Sequence, residues 1–113
     1  MKEKEPVVIN LTPHSVTVLG EDGQVVATVR PSGEVLRLPE VVQDTSLRLA
    51  GVPVVEKSLD PDAKLPPVRD GVYYIVSLPV AQAARRPDFI VPDDLYRDPE
   101  GRVIGCRRFA VIA

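Results

Sequence analysis

The segment GVYYIVSLPVAQAARRPDFIV, residues 71–91, decides the fold class. Residues 71–77 are apolar on both faces, the pattern of a central strand covered on both sides. Ser77 then stands where an N-cap belongs, and Pro79 is tolerated in a first helical turn. Ala81, Ala83 and Ala84 favour helix, Arg85 and Arg86 suit its C-terminal dipole, and Pro87 stops it. DFIV (88–91) makes a further short strand. Strand, short helix (about 78–86) and strand in this order predict a crossover with parallel strands.

Working outward, PVVINL (6–11) reads as a first strand. SVTVLG (15–20) and VVATVR (25–30) flank the turn residues EDGQ and form a hairpin. EVLRL (34–38) alternates apolar and polar residues and reads as another strand. Leu47–Leu49 and Val52–Val55 read as short strands in a middle region of weaker pattern. DPEG (98–101) has the type I turn order, with Asp first, Pro second and Gly fourth. It joins Leu95–Arg97 to a long final strand ending near Ile112. Twenty of the 113 residues are valine, which suits pleated, half-buried surfaces. The expected architecture is α+β: a β-rich mixed, mainly antiparallel sheet with one short helix, in a single domain spanning 1–113. The proline-rich stretch 60–70, DPDAKLPPVRD, has no period and reads as a binding loop or a surface connection.

Composition narrows the function classes. The formal net charge of −2 argues against general nucleic-acid binding, which needs a basic field. No apolar run is long enough for a membrane span. One cysteine and one histidine cannot assemble a zinc site in one chain, and no cofactor motif is present. The lone Cys106 fits a reducing compartment, and MKEKEP at the start lacks the apolar region of a secretory signal, so the expected location is cytoplasmic.

Polar residues at strand ends are the candidate ligand-binding groups. Asn10, Thr12 and His14 alternate and can share one face, although Pro13 interrupts them. Ser77 sits at a strand-to-helix junction with free backbone N–H groups. If VPDD (91–94) ends a strand parallel to that one, Asp93 and Asp94 emerge at the same edge. Together these six residues suit a polar or anionic, nucleotide-like small ligand. The plainer readings are a strand-break histidine, an ordinary N-cap and a solvated acidic turn. Cys106 reads as a small buried hydrophobe, and Gly105 as a bulge or close backbone approach. Two other classes stay open. One is a protein-interaction module such as a phage-encoded inhibitor, or a homodimer formed through an edge strand. The other is a small hydrolase using His14 as base with Asp93 orienting it.

The pieces INLTPHSVTV, GVYYIVSLPVAQA and FIVPDD…RDPEGRVIGCRRF resemble a family of small uncharacterised proteins of bacteria and tailed bacteriophages. The N-terminal NLTPH and the C-terminal GRVIGC are the distinctive segments. The resemblance implies a phage or mobile-element setting and assigns no residue a role.

Twelve prolines, one methionine, one cysteine and a single asparagine follow the thermophile trend of many loop prolines and few labile side chains. Calorimetry should therefore find unfolding above about 65 °C, beyond the usual mesophile range. A midpoint near 50 °C contradicts this reading.

Overall fold

The computed structural model describes residues 6–60 and 62–113. Its strands are β1 (Val7–Asn10), β2 (Val16–Leu19), β3 (Val25–Val29), β4 (Glu40–Leu49), β5 (Val52–Leu59), β6 (Val72–Ile75), β7 (Phe89–Arg97) and β8 (Val103–Val111), and its helix is α1 (Leu78–Ala84). Six strands form one sheet in the order β1-β6-β7-β8-β2-β3, and β4 and β5 form a separate hairpin. β1, β6 and β7 run parallel; β8 returns antiparallel to β7, and β2 runs parallel to β8 and antiparallel to β3. The strand-rich α+β architecture with one short helix is thus the one read from the sequence.

β6 is an interior strand, between the edge strand β1 and β7 rather than at the middle of the sheet, and Tyr74, Ile75 and the following Val76 are buried. On one face, Tyr74 meets Phe89 edge-on, with ring centroids 6.0 Å apart and planes at 86°. α1 lowers Val80 and Ala81 onto this face, and Leu11 and Leu38 complete the core. Burying side chains such as Phe89 and Val76 stabilises the fold by about 1.5–3 kcal/mol each. Ile75 and Ile90, paired in register, alternate onto the opposite face yet are also buried. That burial follows from curvature: the sheet curls until its outermost strands meet at one end. Asn10 of β1 forms a parallel bridge with Pro31, two residues beyond β3, and the Ser32 amide donates to the Asn10 carbonyl at 2.9 Å. The sheet is a partly closed barrel.

Several local expectations need correction. Residues 34–38 are extended but join no ladder; they lie across the sheet, tied by the Leu36 amide to the Leu11 carbonyl at 3.0 Å. Their alternation is nonetheless real, with Leu36 and Leu38 turned inward and Val35 and Arg37 outward. The helix stops at Ala84 rather than near 86, because Arg85 adopts a left-handed conformation (φ 50°) and caps it by donating its amide to Ala81. Arg86 then leaves the helix to reach Asp88. DFIV and Leu95–Arg97 are not two strands but one, so Asp93 and Asp94 lie within β7 and not beyond its end. An edge strand for a homodimer is not supplied by the final strand, β8, which β7 and β2 flank.

The hairpin of β4 and β5 departs furthest from a compact shape. Every residue of β4 is exposed. Ala50 and Gly51, both at positive φ (51° and 78°), make its two-residue turn. The radius of gyration is 17.6 Å and the longest extent 60 Å, whereas a compact chain of this length has a radius of about 13 Å. The hairpin is an arm.

Where β8 passes β2, Gly105 makes the close approach that its position in a strand suggested. A Cβ there would lie 2.9 Å from Leu19 carbons and 3.0 Å from the Thr17 carbonyl oxygen. Gly105→Ala should therefore lower unfolding stability by about 1–3 kcal/mol in urea titrations. A change within about 0.5 kcal/mol, normal for an unremarkable surface site, contradicts the close packing of β8 on β2.

Candidate functional site

Asn10, one of the residues that the sequence offers for ligand binding, is 1% exposed. Its amide nitrogen donates to the carbonyls of His14 (2.8 Å) and Val29 (3.1 Å). Its Oδ1 accepts from the Thr12 amide (2.9 Å) and the Thr12 hydroxyl (2.7 Å). An asparagine side chain has two N–H donors and two acceptor lone pairs, so none is left for a ligand. Asn10 is instead the pin that joins β1, the 12–14 turn and β3. The His14 backbone takes part in the pin, while its ring is exposed and makes no hydrogen bond among the described residues.

Thr12 and Ser77 are brought together. β1 and β6 are parallel, so the chain leaving each strand emerges at the same end. There Thr12, Pro13, Ser77 and Val80 line a cleft of about 270 Å³ whose other wall is Val35–Leu38 and Leu59. Ser77 is the helix cap foreseen, its Oγ accepting from the Val80 amide at 3.4 Å. Arg37, which nothing in the sequence singled out, also lines this cleft, is exposed, and forms no ion pair among the described residues. A threonine, a serine and a free guanidinium can receive a small polar or anionic group.

Asp93 and Asp94 stand apart from this cleft. Asp93 faces Arg108 across the β7–β8 ladder and accepts from its Nε at 2.7 Å. That hydrogen bond holds the Asp93 carboxyl below the usual carboxylate range and raises Arg108 in turn. Asp94, at φ 52°, lies 3.9 Å from the Arg107 guanidinium, which also covers the Tyr96 ring at 4.9 Å. These are exposed cross-strand pairs, worth little individually to stability. Cys106 is buried, and burial pushes its thiol up, away from the nucleophilic thiolate.

A wider cleft, about 410 Å³, opens on the other side of the 34–36 segment, between it and residues 64–69. Its outer wall is fixed by a partly buried latch. Arg86 clasps Asp88 through two hydrogen bonds, Nε–Oδ1 at 2.9 Å and Nη2–Oδ2 at 2.6 Å, and donates through Nη1 to the Pro66 carbonyl. Its guanidinium also lies 4.3 Å above the Phe89 ring, and the Asp88 hydrogen bond raises its pKa. The Tyr74 hydroxyl donates to the Pro67 carbonyl at 2.9 Å. The later part of the proline-rich loop is therefore held against the sheet.

Among the described residues, no group of three or more His, Cys, Asp or Glu side chains is placed to hold a metal ion. No helix of the described residues is long and apolar enough to cross a membrane. No family model, curated protein or solved structure matches this chain.

Proposed function

We propose that this chain is a protein-interaction module whose β4–β5 arm is the docking element. The observation that carries the reading is the arm itself: Leu47, Leu49, Val52 and Val55 are all exposed on a two-stranded hairpin that leaves the body. A hairpin of two strands is marginal in water unless something packs on it. Its charged residues, Glu40, Asp44 and Glu56 against Arg48 and Lys57, nearly balance, which suits a protein surface better than nucleic acid. Its edges are guarded against open-ended strand addition. Pro53 removes a donor from β5, and β4 bulges between Asp44 and Arg48. Docking therefore uses the faces and the apolar tip, for a second copy of the chain or another protein.

A second reading, a binder of a small polar or anionic ligand, keeps Thr12 and Ser77 and gains Arg37, because the three share one cleft. The hydrolase reading has no such support: His14 and Asp93 are not hydrogen-bonded, and Asp93 is held by Arg108. A cytoplasmic location accords with the free, buried cysteine. A phage or mobile-element setting rests on the sequence resemblance alone.

Leu47→Asp combined with Leu49→Asp should abolish association while leaving unfolding stability within about 0.5 kcal/mol, as for exposed sites. Sedimentation velocity checks self-association, and capture from an extract of the native host checks other proteins. A wild-type chain that is monomeric, and that captures nothing the variant does not, contradicts the reading.

A further inference from the structure

We infer that the wider cleft binds a small amphipathic carboxylate, an aliphatic chain carrying one acid group, at a site separate from the arm. Its floor is aliphatic: Ile9, Leu11, Leu36 and Leu65 line it. Lys64 and Arg69 line the same cleft, both exposed and neither ion-paired among the described residues, against the single carboxylate of Glu34. A cleft with an apolar floor and excess positive charge complements a ligand with an apolar tail and an anionic head. About 410 Å³ is room for such a molecule, within the usual range of roughly 300–1,000 Å³ for ligand sites.

The walls are built in advance. Arg86 and Tyr74 pin Pro66 and Pro67 on one side, and the Leu36–Leu11 backbone hydrogen bond holds the other. Binding then costs little ordering of the protein. A nucleotide fits the lining less well. Among the described residues, Tyr74 is the only aromatic residue lining it, its hydroxyl is engaged by Pro67, and no glycine-rich loop borders the cleft.

The test is titration of the full chain with octanoate, 1-octanol and acetate, followed by isothermal calorimetry and by methyl chemical shifts. Octanoate should bind and shift the methyl signals of Ile9, Leu11, Leu36 and Leu65. 1-Octanol should bind at least about tenfold more weakly, a difference of 1.4 kcal/mol, and acetate should not bind detectably. Lys64→Ala with Arg69→Ala should weaken octanoate by a similar factor and leave 1-octanol unchanged. Leu36→Asp tests the floor separately, with its circular dichroism spectrum verifying the fold. Shifts elsewhere in the protein, equal affinity for octanoate and 1-octanol, or an unaffected double variant would each overturn the assignment. Because neither the arm nor its variants enter this experiment, its failure leaves the interaction reading untouched.

Discussion

The buried side chain of Asn10 is the constraint on which the rest of the body depends. A six-stranded sheet whose first and last strands lay open would expose two unpaired edges and leave Ile75 and Ile90 facing water. Instead the Asn10 amide group reaches the last carbonyl of β3, and its backbone carbonyl receives the Ser32 amide. Around it, Thr12 and the His14 carbonyl complete a set of bonds with no buried polar side-chain atom left unsatisfied among the described residues. Removing such a group leaves buried partners without hydrogen bonds, at about 1–3 kcal/mol each. The same pin sets where the chain leaves β1, and so places Thr12 opposite Ser77.

From this closure follows a division of labour. The curled sheet holds its own core and carries a cleft on each side of the 34–38 segment. That segment is the wall they share, tied by one backbone hydrogen bond and by Leu36 and Leu38 packed inward. The chain then runs directly into the arm, where apolar residues stay outside. The two halves treat surface in opposite ways: the body hides the polar side chain of Asn10 where its outermost strands meet, and the arm displays valines and leucines to the solvent.

Much of the body was legible in the sequence because its signals are local. The apolar run at 71–77, the cap at Ser77 and the DPEG turn each report a nearby geometry, and each stands where it was read. The parallel β6–α1–β7 crossover followed from order alone. The arm was legible only in fragments, at 47–49 and 52–55. Its turn is Ala-Gly rather than the Asn-Gly that marks such hairpins, and its strands alternate imperfectly because neither face is buried. In the candidate site, Ser77 and Thr12 were found by their places at strand ends. Asn10 stood out as a polar residue alternating with Thr12 and His14 and was read as a ligand group, because a hydrogen-bond pattern spanning nineteen residues to Val29 leaves no mark in the local sequence. Arg37 went unseen because alternation describes a strand, and the extended segment that carries it makes no ladder.

Native-state hydrogen exchange tests the closure most directly. The amides of Thr12 and Ser32 donate to Asn10, so they should exchange as slowly as those of buried Tyr74 and Val76, which donate to the Asp88 and Ile90 carbonyls. Exchange of Thr12 and Ser32 at the rate of an unstructured peptide, with Tyr74 and Val76 still protected, would mean that the sheet is open at this end and that Asn10 does not close it.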